Sequence, residues 1–156
     1  MSRSEIVQLT YKKVKKENYI HDYDYYESDL MNYIAEYIDD EVPEKNYIIK
    51  MLKEKLKGAA EFENDSFVIT DKEAYFRPKF QYFKELYKNA NAITFEQFCR
   101  DTEVSNGFYR LKQAYDERYD VYVENDEFGL ITFDQFMREA KNGDKLYIGG
   151  AVGYKY

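Results

Sequence analysis

One cysteine, one histidine, two prolines and no tryptophan in 156 residues exclude several kinds of protein before any motif is sought. With Cys99 alone there is no intrachain disulfide, and a single thiol suits a reducing compartment, so a cytoplasmic location is expected. Its expected role is that of a small buried side chain in a helix. His21 is the sole imidazole, so any Cys–His or Ser–His–Asp arrangement would have to recruit it, and zinc would lack its three or four Cys and His ligands. A histidine set among acids is read as a surface charge partner. No apolar run is long enough to span a bilayer. The N-terminus reaches Lys12-Lys13 and Lys15-Lys16 after only a short apolar patch, which is not a signal-peptide core. The expectation is a protein without cofactor, metal, membrane span or catalytic set.

What is abundant is charge and tyrosine. There are 30 Asp and Glu, 23 Lys and Arg and 18 Tyr, with 44% hydrophobic residues, a composition that folds. At this length one domain, residues 1–156, is expected. AT-rich codons account for part of the tyrosine excess, but less well for its clustering between Tyr19 and Tyr26.

Charge is segregated along the chain. Residues 1–16 hold Arg3, Lys12, Lys13, Lys15 and Lys16 against Glu5 alone. Residues 17–46 reverse this, with ten acids (Glu17, Asp22, Asp24, Glu27, Asp29, Glu36, Asp39, Asp40, Glu41, Glu44) against Lys45. Residues 47–58 are basic again, and residues 119–139 are acidic through Asp120, Glu124, Asp126, Glu127, Asp134 and Glu139 against Arg138.

The pattern predicts an α+β fold, mainly helical, with small antiparallel hairpins. Between Ser4 and Val14, Val7, Leu9 and Tyr11 alternate as in a strand, while Val7, Tyr11 and Val14 suit a helix, and a helix is favoured. Ser28 is an N-cap for a helix over 29–41, and Pro43 opens a second helix ending at Gly58, together a helical hairpin. Residues 61–70 read as two strands about Asn64-Asp65. Pro78 is expected to open a third helix, 106–118 to be helical, and 121–123 and 129–131 to be extended. Residues 146–148 and 151–154 are expected to form a hairpin turning at Gly149-Gly150. That glycine pair lacks the Lys-Ser/Thr ending and following helix of a phosphate loop.

Ile93-Thr94-Phe95-Glu96-Gln97-Phe98 recurs, nearly unchanged, as Ile131-Thr132-Phe133-Asp134-Gln135-Phe136. Thr94 with Gln97 and Thr132 with Gln135 form capping boxes, each starting a helix. Both copies resemble the end of an EF-hand calcium loop entering its exit helix. With Gly129 at the invariant glycine, however, Phe128 falls on a ligand position and Gln135 replaces the bidentate Glu. In the earlier copy the ligand positions hold Leu86, Lys88, Ala90 and Gln97, so the echo reads as a degenerate repeat without metal.

On a helix over 29–41, Asp29, Glu36 and Asp40 would lie within about 40° of one another, opposite Leu30, Ile34 and Ile38. Such a line of carboxylates can stand in for nucleic-acid phosphates in a basic cleft, and Tyr23, Tyr25 and Tyr26 add amphipathic contact area. A solvated charged face is the plainer alternative, since Lys50, Lys53 and Lys57 share a stripe that could partly neutralise it.

In type, though through no shared motif, the chain resembles the small acidic phage and mobile-element proteins that disable host defence, the anti-CRISPR and antirestriction proteins. That resemblance implies a non-enzymatic inhibitor of a basic nucleic-acid-binding protein, such as an RNA-guided nuclease or a restriction enzyme. The contact would be made by Asp22, Tyr23, Asp24, Tyr25, Tyr26, Glu27, Asp29, Glu36, Asp39 and Asp40, with Glu124, Asp126 and Glu127 as a second patch. No direct contact with nucleic acid is expected on that reading. The alternatives are a nucleic-acid-binding regulator that uses the basic N-terminal segment and a degenerate EF-hand-like interaction module.

Overall fold

A computed structural model describes residues 2–100 and 102–156. Its centre is a strand, not the helix that the spacing of Val7, Tyr11 and Val14 favours. β1 (Arg3–Thr10) lies between β7 (Lys145–Lys155), antiparallel, and β5 (Tyr122–Asn125), parallel. Ser4 to Thr10 are all buried because both faces of this strand are covered, which hides the alternation that marks a half-exposed strand.

The other elements are α1 (Asp29–Ile34), β2 (Tyr37–Ile38), α2 (Lys45–Lys55), β3 (Ala60–Glu63), β4 (Ser66–Ile69), α3 (Lys72–Asn91), α4 (Phe95–Arg100), α5 (Thr102–Tyr115), β6 (Gly129–Thr132) and α6 (Phe133–Glu139). The seven-stranded sheet runs β3-β4-β7-β1-β5-β6, and β2 also pairs with β7. The class is α+β, but a mixed sheet organises it, not helices with small hairpins. No described helix is long and apolar enough to cross a membrane.

The sheet separates two apolar cores. On one side Val7, Leu9 and Ile148 pack with Ile48 and Leu52 of α2, Tyr75 of α3, and Phe133 and Phe136 of α6. On the other, Ile6, Tyr122, Val152 and Tyr154 pack with Tyr25, Met31 and Ile34. In β7, Leu146, Ile148 and Ala151 face the first core, while Val152 and Tyr154 face the second. The change of parity comes from a bulge. Leu9 pairs with Ile148 and Val7 with Ala151, so Gly149 and Gly150 together oppose Gln8. The glycine pair is a bulge within one continuous strand, not the turn of a hairpin.

The predicted helix over 29–41 stops at Ile34. Ala35 is extended, the Glu36 amide donates to the Lys155 carbonyl and the Asp39 amide to that of Gly153, so the chain leaves the helix to pair with the free edge of β7. A strand therefore separates α1 from α2, in place of a helical hairpin. Pro78 does not open a helix either, because it sits within α3. That helix starts earlier because the Asn142 side chain accepts from the Lys72 amide at 2.9 Å, a cap supplied from 70 residues away. Lys72 Nζ in turn donates to the carbonyls of Arg138 and Ala140 at the end of α6.

The strands about Asn64-Asp65 and the extended pieces near 121–123 and 129–131 are present, and the helix expected over 106–118 starts four residues earlier and ends at Tyr115. Asn64 takes φ 54° in its turn.

Candidate interaction surface

The segment from Ile20 to Ile38 lies over the second core as a thin layer: a 3-10 turn (Asp22–Tyr25), then α1 and β2. Gln8 fastens it to the bulge. Its Oε1 accepts from the amides of Ile20, at 3.2 Å, and Gly150, at 3.0 Å, and its Nε2 donates to the Asn18 carbonyl. A Cβ at Gly149 would come within 2.4 Å of Gln8 Oε1, and one at Gly150 within 2.8 Å of Tyr19 Cβ and 3.0 Å of the Ile20 amide. The glycines thus admit both the glutamine and the incoming chain.

The outer side of this layer carries the charge. Asp24, Glu27, Asp29, Glu36, Asp40, Glu41 and Glu44 are exposed, with Tyr23, Tyr26, Leu30, Tyr33 and Tyr37 among them. The continuous helical row of Asp29, Glu36 and Asp40 does not form, because only Asp29 is helical. The fold instead gathers acids around two tyrosines. Tyr26 donates to Asp22 and also feels Asp40, so its phenol is raised above its ordinary value by the hydrogen bond to Asp22 and by these charges. Tyr25 is raised by burial and then by Glu124 and Asp24. Glu124 is itself raised by burial and by Asp24. The turn at 22–25 therefore joins the first acidic zone to one member of the second.

Three expected contact residues are committed elsewhere. Tyr25 is 3% exposed and belongs to the core. Asp39 is buried and pairs with Arg3 at 3.5 Å. Asp126 accepts from the backbone amides of Tyr11 and Lys12, closing the β5–β6 turn onto the end of β1. Glu127 is exposed, and its amide donates to Asn125 Oδ1, as does that of Phe128. Asp126, which falls on a calcium-ligand position, thus ties the turn to the chain after β1, and Asn125 beside it holds the turn's backbone. Among the described residues no group of three or more His, Cys, Asp and Glu is placed to hold a metal.

His21 is exposed and stacks on Tyr23, with ring centroids 5.0 Å apart. Cys99, expected to be buried, is exposed on α4, because that helix contributes no residue to either core.

Sequence reasoning missed Asp134. It is 2% exposed and accepts from Tyr75 at 2.6 Å, from the Glu117 amide at 2.8 Å, and from Lys79 at 2.9 Å. Burial works to raise its pKa, but these donors outweigh burial and hold it below the usual carboxylate value. With its donors in place it is a clamp between α6 and α3. Its capping box was legible in the sequence, and its partners were not.

Compared with known proteins, the chain matches no family model, no curated sequence and no solved structure.

Proposed function

We propose that this chain is a non-enzymatic binding protein whose acidic, tyrosine-bearing layer occupies a basic nucleic-acid cleft of another protein, as an anti-CRISPR or antirestriction inhibitor would. One observation carries the reading. Among the described residues, no Lys or Arg is ion-paired with Asp22, Asp24, Glu27, Asp29, Glu36, Asp40, Glu41 or Glu44. Lys50, Lys53 and Lys57, which could have neutralised them, are exposed on and just beyond α2 and pair with none of them. Concentrated like charge opposes compaction, and it becomes useful when a partner supplies the cations. Exposed tyrosines beside it offer the amphipathic area that interfaces favour.

The test is DNA binding by guide-loaded RNA-guided nucleases and by restriction enzymes, with and without the protein. A cleft-occupying inhibitor lowers DNA affinity in proportion to its own occupancy, and the effect weakens as salt rises. The variant Asp29→Lys/Glu36→Lys/Asp40→Lys should keep the fold and lose inhibition. Inhibition equal to that of the unaltered protein would remove the acidic layer from the mechanism.

A second reading rests on Lys12, Lys13, Lys15 and Lys16, which are exposed after β1 and without a carboxylate partner among the described residues. Lys12, Lys13 and Lys15 border a groove of about 620 Å³ and fit a phosphate backbone. A mobility shift with DNA at low salt separates the readings, since the acidic layer predicts none.

A further inference from the structure

The helices α3 and α5 pack against each other and leave a groove along one side. Phe76, Phe80 and Phe83 from α3 and Tyr115 from α5 line it, with Lys79 and Arg138 at its margins and a volume of about 370 Å³. Phe83 stacks near Tyr87, and Tyr115 lies 6.4 Å from Phe83, so the aromatic surface continues along the helix pair. Phe80, Tyr87 and Tyr115 are each more than half exposed. Soluble monomers rarely leave a large contiguous apolar patch open.

The charge around the groove says what covers it. α3 carries five cations against two carboxylates. Lys84, whose ammonium lies over the Phe80 ring, and Lys88 have no carboxylate partner among the described residues. Both stand within about 80° of Phe80 around the helix. Two grooves meeting face to face would set these lysines against their own copies. An occupant with carboxylates around an apolar ring would instead meet the lysines with opposite charge and fill the groove.

The chain displays such an occupant. Between residues 22 and 44 there are nine carboxylates and no Lys or Arg. Within that layer Tyr33 is 73% exposed, although the Arg118 guanidinium lies 4.2 Å from its ring centre, with exposed Asp29 four residues before it and exposed Glu36 three after. We propose that the groove between α3 and α5 takes the acidic, tyrosine-bearing layer of a second copy of this chain. Tyr33 enters the groove, and Asp29 and Glu36 face Lys84 and Lys88. The contact is heterologous, using one groove and one layer from each copy, so assembly continues or closes into a ring. The groove has no part in the proposed inhibition, but self-association and a target compete for the same layer.

Sedimentation velocity of the full chain, over a wide concentration range at low and high salt, tests this. Association should grow with concentration and weaken with salt. A groove variant, Phe80→Ser/Lys84→Glu, and a layer variant, Tyr33→Ser/Asp29→Lys, should each lose association by roughly tenfold or more in Kd. The single changes Lys84→Glu and Asp29→Lys, both at exposed positions, are the second pair should a double variant fold poorly. Mixed together, groove and layer variants should form a one-to-one dimer and nothing larger, because each supplies the half the other lacks. A monomer throughout, or a mixture that stays monomeric, overturns the proposal. So does a layer variant that associates like the unaltered protein, which would mean groove-to-groove pairing. Groove variants should inhibit a target normally, so failure here is distinct from failure of the proposed function.

Discussion

The two hexapeptides share five of six residues and the same capping geometry, yet one is core and the other is surface. Thr94 and Gln97 exchange their hydrogen bonds at 3.0 and 3.2 Å, and Thr132 and Gln135 do so at 3.1 Å each. Phe133 and Phe136 are 1% and 0% exposed, while Phe95 and Phe98 are 84% and 68% exposed. Asp134 is clamped by Tyr75, Lys79 and the Glu117 amide, whereas Glu96 in the same slot pairs with Arg100 on its own helix, in solvent. A local signal therefore sets where a helix begins, and the surroundings set what the helix contributes.

The largest expected effect separating the copies is at the second phenylalanine. Phe136→Ala should cost about 3–5 kcal/mol, the usual cost of emptying a buried aromatic site, whereas Phe98→Ala should stay within about 0.5 kcal/mol. Denaturant titration measures both, and equal losses would mean that the exposed copy is covered in the free protein.

Next is the acidic slot. Asp134→Ala leaves Lys79 and the Tyr75 hydroxyl without their acceptor, and should cost about 3 kcal/mol, the low end for breaking a buried pair because Lys79 keeps some exposure. Glu96→Ala should be nearly neutral. The Asp134 carboxyl is held below its ordinary value of 3.8. Its stabilisation is therefore complete above that value and disappears as pH falls through the lower folded-state value. The gap between Asp134→Ala and the unaltered protein should thus close only in strong acid, and a gap that closes near neutral pH would refute the assignment.

The smallest effects are at the caps, where the copies should converge. Thr94→Ala and Thr132→Ala should each cost about 1 kcal/mol. Thr132→Ala should cost somewhat more, because Thr132 Oγ1 also donates to Asp116 at 2.6 Å. Amide exchange in the first turns of α4 and α6 would show the loss directly.

The same division runs through the rest of the molecule. The strands about Asn64-Asp65, both capping boxes and the segregation of acids were legible because each depends on residues near in sequence. β1 was not, since a strand buried on both faces loses its alternation. Neither was the end of α1 at Ile34, because the carbonyls of Gly153 and Lys155 draw that chain into the sheet. The acidic layer was foreseen as a region and misplaced in geometry. Tyr25 and Asp39 turned inward, and Glu124 came to lie beside Asp24 and Tyr25 through pairing of β1 with β5.

The sequence by itself determined the starts of α1, α4 and α6, the turn at Asn64 and a long acidic, tyrosine-rich stretch with no cation in it, since caps, turns and charge runs are short-range properties. Only the tertiary structure decided which copy of the hexapeptide is buried and that Gly149-Gly150 is a bulge holding Gln8. It alone showed that, among the described residues, the exposed acids of the layer are ion-paired with no Lys or Arg, and that a cation-rimmed aromatic groove lies open between α3 and α5. Burial and charge compensation depend on which distant segments meet, and no local pattern encodes that meeting.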